Sequence, residues 1–396
     1  MITRNQYLER LISLKDKKLI KIVTGIRRCG KSTLFKLFQD YLLQHGVVQA
    51  QIISVNLEDI NNESLLDYKA LHRYILEHLA SDKMNYVFLD EIQNVPSFQK
   101  AVDSLYIREN VDLYVTGSNA YLLSGELATL LSGRYVEIKM LPLSFKEYVS
   151  AFDGNQNIER LFNNYLLNSS FPYTLQLDNP KDINDYLSGI YNTVILKDVM
   201  ARHKFSDVMQ VESIVKFLAD NIGNLCSLRK ISDCLTAAGR KTSYHLVDNI
   251  IEALKQSFII YPATKYDIKG RQYLQSGEKY YLADIGLRYM LLGNRMQDYG
   301  HILENVVYLE LIRRGYQVFV GKYNNLEIDF VALKNGNPEY YQISHSVATP
   351  ETLERELAAL ECIADNYPKF LLTRDILPEV SHNGIRQLNV LDWLLG

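Results

Sequence analysis

The eight residues Gly25-Ile26-Arg27-Arg28-Cys29-Gly30-Lys31-Ser32 satisfy the pattern GxxxxGK[ST] at every fixed position. They lie between an apolar run, Leu19–Thr24, and an amphipathic one, Ser32–Gln44. A strand that ends in a glycine-rich loop and resumes as a helix leaves few folds open: it calls for a parallel sheet with crossover helices. Such a loop holds phosphate. Gly25 and Gly30 let the backbone curl so that successive N–H groups face one anionic ligand. The helix N-terminus adds a partial positive charge, Lys31 a full one, and the Ser32 hydroxyl is a ligand for magnesium. Gly25, Ile26, Arg27, Arg28, Cys29, Gly30, Lys31, Ser32 and Thr33 are therefore the expected nucleotide-binding residues, with ATP and Mg2+ as ligands. Arg27 and Arg28 either raise the potential near phosphate or belong to a solvated loop.

A second segment completes the site. Tyr86-Val87-Phe88-Leu89 reads as a buried strand with Asp90 and Glu91 at its C-terminal end, where ligands of open α/β sheets bind. Asp90 is the expected metal partner, and Glu91, pointing elsewhere, the general base for the attacking water. Further strands are expected at Gln51–Asn56, Leu113–Thr116 and Tyr135–Lys139, with helices near Leu65–Leu79 and Phe98–Arg108. Asn119, just beyond the fourth strand, would either sense the γ-phosphate or cap a helix. Arg134 would either reach a neighbouring subunit's nucleotide as an arginine finger or serve as an ordinary surface residue.

At 396 residues the chain is long enough for two to four domains. Its formal charge of −3 excludes a protein-wide positive field, so any contact with nucleic acid rests on a local patch. Cys29, Cys226, Cys234 and Cys362 form no zinc-like spacing and read as reduced thiols. Without an apolar leader or a run of about 18 apolar residues, a soluble, cytoplasmic protein with no membrane partner is expected. Ser144 begins a capping box with Glu147. Three helices, Asp207–Asn221, Leu228–Ala237 and Ser243–Gln256, precede strands at Phe258–Tyr261 and Tyr280–Leu282, the plan of a winged helix. Lys265, Lys269, Arg271 and Lys279 on the hairpin, with Arg240 and Lys241 before the third helix, are candidate phosphate contacts for duplex DNA. Protein docking is the other use of such a module. A last unit follows, with a helix at His301–Arg314, strands at Gln317–Val320, Glu327–Leu333 and Tyr340–Ser344, a helix at Thr352–Asp365 and a strand at Phe370–Thr373.

GIRRCGKST, FLDEIQ at Phe88–Gln93, VTGSNA at Val115–Ala120 and LSGR with LPLSFKEY at Leu131–Tyr148 together resemble one family. It comprises prokaryotic AAA-type ATPases with a helical and winged-helix segment and a C-terminal domain of uncharacterised function. The resemblance implies an extra strand between the P-loop strand and the Asp90 strand. It also implies binding and hydrolysis of ATP, with Lys31, Ser32, Asp90 and Glu91 in their usual roles. The C-terminal unit resembles the restriction-endonuclease-like fold, whose sites group a helix carboxylate, a strand Asp and an (E/Q)xK around magnesium. Glu304 or Glu310, Asp329 and Gln342 would occupy those positions, but Ser344 stands where the lysine belongs, with Lys334 a nearby substitute. A degenerate site kept for binding or assembly is the favoured reading.

The expected architecture is thus α/β: a P-loop NTPase parallel sheet over residues 1–145, a helical segment over 146–205, a winged helix over 206–298 and a small restriction-endonuclease-like domain over 299–396. The expected function is an ATP-driven switch or remodeller, with duplex DNA and further copies of the same chain as candidate partners. A metal-dependent nuclease or DNA-binding effector, or a signalling scaffold for a protein partner, are the alternatives.

Overall fold

Ile20–Thr24 (β1), Ile52–Asn56 (β2), Asn85–Asp90 (β3), Val111–Gly117 (β4) and Tyr135–Lys139 (β5) form a five-stranded sheet in the order β2-β3-β4-β1-β5. All four pairings are parallel. The order puts β4 between β1 and β3, the inserted strand the resemblance implies. The computed structural model describes residues 2–120, 131, 133–152, 154, 156–201, 203, 205–240, 242–293, 299–376 and 378–396. Every residue of β1, β3 and β4 is buried, as continuous apolar runs in a parallel sheet with two covered faces require. The Lys31–Gln44 helix lies on one face, where Phe35 meets Phe88 edge-on at 5.1 Å between ring centres and Phe88 stacks on Tyr114 at 4.8 Å. Each such ring contributes about 1.5–3 kcal/mol by leaving water. Together they pin the helix that begins at Lys31 to the strand that ends at Asp90.

At the N-terminal edge of the sheet, Lys21 on β1 and Asp112 on β4 form an ion pair buried from solvent. Asp112 also accepts hydrogen bonds from the Asp16 N–H at 2.9 Å and the Tyr114 hydroxyl at 2.7 Å. Lys21 donates to the Lys17 carbonyl at 2.7 Å. This network lies at the opposite strand ends from the P-loop.

The chain divides into two compact units, 1–140 with 256–258, and 141–255 with 259–396. In the second, Ser144 and Glu147 form the expected reciprocal cap, with bonds of 3.0 and 2.8 Å. Helices at Ile158–Leu167 and Pro180–Thr193 follow, the latter continuing as π-helical turns over Val194–Ala201. Those at Val208–Asp220, Leu228–Ala237 and Tyr244–Gln256 match the three expected helices to within a residue or two at each end.

The hairpin behaves differently from the sequence expectation. Its strands, Ile260–Asp267 (β6) and Gln272–Leu282 (β7), are longer than the periodicity suggests, and β6 pairs in parallel with Gln317–Tyr323 (β8). The hairpin therefore belongs to an eight-stranded sheet completed by Leu326–Lys334 (β9), Asn337–Ile343 (β10), Lys369–Thr373 (β11), Val380–His382 (β12) and Ile385–Asn389 (β13), in the order β12-β13-β11-β10-β9-β8-β6-β7. The expected division between 298 and 299 thus separates strands of one sheet. Asn335 and Gly336, at φ 53° and 81°, make the tight β9–β10 turn. Among the described residues no helix is long and apolar enough to cross a membrane.

Candidate functional site

β1 ends at Thr24, and the backbone then passes through φ values of 151° at Gly25, 66° at Arg28 and 105° at Gly30 before the helix starts at Lys31. Gly25 is required by packing as well as by conformation: a Cβ there would stand 2.1 Å from the Met140 carbonyl oxygen. Lys31 is buried, and its ammonium donates to the carbonyls of Gly25 at 3.1 Å and Ile26 at 3.3 Å. Ser32 is exposed at the mouth of the loop, and it shares a hydrogen bond with the Asp90 carboxylate. Cys29 is buried within the loop.

Across from the loop, Asp90 is held at the end of β3, where it accepts a hydrogen bond from Thr116 Oγ1 on β4. Burial raises its carboxyl above the ordinary value, against the hydrogen bonds from Ser32 and Thr116. Glu91 adopts the left-handed region at φ 54°, a conformation that costs roughly 1–2 kcal/mol for a residue with a Cβ. Its N–H donates to Thr116 Oγ1 at 2.9 Å, which helps hold the turn. That turn swings the Glu91 carboxylate away from Asp90 and to 3.4 Å from the Lys31 ammonium. Gln93 Nε2 donates to Glu91 at 2.5 Å and to Ser118 Oγ at 3.2 Å. Burial works against the charge on Glu91, but Lys31 and the Gln93 hydrogen bond outweigh it and hold the carboxyl below its usual range. An ionised carboxylate beside an ammonium, together with a hydroxyl bonded to a second carboxylate, can anchor phosphate and activate water.

A second constellation lies in the other unit. Glu304, on the Tyr299–Arg313 helix, accepts hydrogen bonds at Oε1 from Lys279 Nζ at 2.8 Å and the Tyr281 hydroxyl at 2.5 Å. Lys279 also stands 2.9 Å from Glu327 and 3.9 Å from Asp329, both on β9. Burial, and after it Glu304, push the Asp329 carboxyl up to about 8. Gln342 on β10 accepts from the Asp329 N–H at 3.3 Å.

Residues 17–149 match the family described as AAA domain, and residues 159–298 match a domain of unknown function (DUF8612). An uncharacterised protein of Haemophilus influenzae is 40% identical over 399 residues, spanning 100% of this chain and 99% of its own. The chain is an AAA-domain protein of that family. An uncharacterised relative from Methanocaldococcus jannaschii is 27% identical over 361 residues, 86% of this chain and 78% of its own. A solved Walker-type ATPase of Pyrococcus abyssi superposes with a TM-score of 0.51 at 14% identity, over 74% of this chain and 96% of that one. At that identity the likeness establishes the P-loop ATPase fold.

In this AAA-domain protein the residues expected from the two motifs converge. Others do not. Arg134 lies just before β5, where its carbonyl accepts from the N–H of Ile20, the first residue of β1. It is therefore at the opposite end of the sheet from the P-loop of its own chain, paired with Asp103 at 2.5 Å and placed over the Tyr106 ring. Arg27 pairs with Glu58 at 2.7 Å, whereas Arg28 is exposed. Asn119 is buried two residues past β4, and Thr116 bonds Asp90 while Gln93 and Ser118 bond Glu91. The helix that Asn119 would cap lies outside the described residues.

In the second unit, Glu310 is taken up by Arg313 at 2.6 Å and Arg314 at 2.8 Å, which leaves Glu304 as the helix carboxylate. Lys334 donates to the Arg314 carbonyl at 2.9 Å. Five residues along β9 from Asp329, about 16 Å at strand rise, it cannot replace the lysine absent at Ser344. Of the candidate DNA contacts, Lys279 is buried and Arg240 is bound to the Met209 carbonyl at 2.6 Å and to Ser213, while Lys241 lies outside the described residues.

Arg4 is a neighbour of the loop that the motifs did not indicate. Buried ahead of the first helix, it donates through Nη1 to the Cys29 carbonyl at 2.9 Å. In a trans peptide the C=O of Cys29 and the N–H of Gly30 point in opposite directions, so fixing the first also fixes the direction of the second. The sequence signal was a lone arginine 21 positions before the loop, with no spacing rule to connect them.

Proposed function

We propose that this AAA-domain protein binds ATP with magnesium, hydrolyses it, and uses the cycle as a switch or remodeller of a partner held by its second unit. The observation carrying the reading is the convergence of Lys31, Ser32, Asp90 and Glu91 at the C-terminal ends of β1 and β3, the strands on either side of β4. The donor set fits magnesium: a hydroxyl and a carboxylate, hard oxygen ligands already in hydrogen-bond contact. Bound there, the ion would offset phosphate charge and favour departure of the γ-phosphoryl group. Lys31 would exchange its loop carbonyls for phosphate oxygens and leave Glu91 to orient a water and accept its proton. Gln93 and Ser118 keep that carboxylate aimed.

Purified protein should bind a fluorescent ATP analogue and release phosphate from ATP, with Lys31→Ala losing both; a folded wild type that binds no nucleotide would end this reading. Arg4→Met should weaken ATP binding about tenfold, near the low end of the roughly 1.5–3 kcal/mol contributed by a hydrogen bond to a charged group. Arg4→Lys should recover part of the loss, and equal affinities in all three proteins would remove Arg4 from this role.

Duplex DNA is the second reading for the partner. It rests on Lys269, Arg271 and Tyr273, all exposed around the β6–β7 tip. A gel shift at low salt that weakens in a Lys269→Ala/Arg271→Ala variant is expected; binding unchanged by that substitution would place DNA elsewhere or nowhere. Homo-oligomerisation, with Arg134 released from Asp103 to reach a neighbour's nucleotide, belongs to the same proposal. It calls for a larger solution mass with ATP than without.

A further inference from the structure

The likeness of the C-terminal unit to restriction endonucleases implies a divalent ion among Glu304, Asp329 and Gln342, and the side chains present do not fit one. Glu304 Oε1 already receives both Lys279 and Tyr281, and Glu304 Oε2 faces His301 Nδ1 at 3.3 Å. Asp329 Oδ2 accepts from the Ile343 N–H at 2.8 Å, and Oδ1 faces Lys279. Gln342 spends its oxygen on the Asp329 N–H and its amide on Glu356 at 2.9 Å. The backbone closes the remaining side: a Cβ on Gly223 would come within 2.6 Å of His301 and 2.9 Å of Glu304. Among the described residues no group of three or more ligating side chains is arranged to hold a metal ion.

We infer that Lys279 is the resident cation of this site: an ammonium delivered by β7 stands where a divalent ion would stand, and the cluster is a metal-independent node joining β7, β9 and the Tyr299–Arg313 helix. The charges suit the assignment. Glu304, Glu327 and Asp329 come from two elements and converge on one side chain that is 3% exposed. An unpaired carboxylate as deeply buried as Glu304 would cost several kcal/mol, so some cation is required there. Lysine meets that need with donors that turn freely, and it brings its own strand with it. A lysine acting beside a metal would need its partner carboxylates free to ligate, whereas Lys279 and Tyr281 both bond the same oxygen of Glu304. The inference stands apart from the nucleotide reading, because the P-loop has no part in it.

The test is Mn2+ binding by electron paramagnetic resonance in the absence of nucleotide, on the full chain. Wild type and Asp329→Asn share the same P-loop, so any difference between them reports this site. Equal Mn2+ stoichiometry in the two is expected. Lys279→Met should then gain one equivalent, and adding Asp329→Asn should remove it. The inference is overturned if wild type carries an equivalent that Asp329→Asn abolishes, or if folded Lys279→Met gains none. It is also overturned if wild type cleaves duplex DNA with Mn2+ and loses that activity in Asp329→Asn. Should Lys279→Met fail to fold, the comparison of wild type with Asp329→Asn still decides.

Discussion

Glu91→Gln is expected to bind ATP within a few-fold of wild type while turning it over about 100-fold more slowly or worse, the usual contribution of a general base. The geometry separates the two effects. In the proposed site, binding would rest on the loop amides, Lys31 and the Ser32–Asp90 pair, none of which the substitution removes. An amide at position 91 keeps the side chain's shape and its partnership with Gln93, but it can neither accept a proton from water nor balance the Lys31 ammonium at 3.4 Å. Removing a negative charge beside the phosphates would, if anything, tighten binding. Phosphate release under single-turnover conditions, read beside nucleotide affinity, makes the measurement. Equal turnover in the two proteins would strip Glu91 of its part, whereas loss of binding would show that its ion pair with Lys31 shapes the loop.

Asp112→Ala is expected to cost the first unit about 3–5 kcal/mol, the range seen when one partner of a buried ion pair is removed. Lys21 would remain enclosed without its adjacent counter-charge, its ammonium left with the Lys17 carbonyl and the Tyr114 ring, and the Asp16 N–H and Tyr114 hydroxyl would each lose an acceptor. Burial already holds Lys21 below the ordinary ammonium value, with Asp112 opposing the shift, so removing Asp112 exposes the full desolvation penalty. A drop of roughly 10 °C in the melting transition of this unit follows. Adding Lys21→Met should return much of the loss, since removing both charges of a buried pair is often close to neutral. A melting point unchanged in Asp112→Ala would mean that the pair is compensated by water. The pair lies at the far strand ends, so the folded fraction should retain its nucleotide affinity.

The local parts of the site were legible because chemistry and period coincide there. A glycine loop needs its glycines at set positions, and a carboxylate pair after four apolar residues marks the end of a buried strand. Thr116, which holds both Asp90 and Glu91, lies within VTGSNA, yet only the β3–β4 register shows that it faces them. Arg4 and Lys279 were illegible for the same reason: each acts on residues at least 25 positions away, and a lone cation carries no periodic signal. Lys279 was further disguised by its neighbours. In a hairpin with Lys265, Lys269 and Arg271 it reads as surface charge, whereas the fold brings Glu304, Glu327 and Asp329 from elsewhere in the chain to surround it. The short strands β12 and β13 and the final Val390–Leu395 helix were missed because pieces of three to six residues show too few periods to detect.

The seam between β6 and β8 also governs how the polypeptide can be dissected. A fragment starting at residue 299 would keep β8 but lose the neighbour that covers it, leaving a row of unsatisfied amides and carbonyls on which a second molecule could template. The same cut would take Lys279 and Tyr281 from Glu304 and leave His301 as the basic group beside it. Clipping or recombining genes at that point should therefore yield aggregates, and the 206–298 stretch is best regarded as an inseparable wall of the region that follows it.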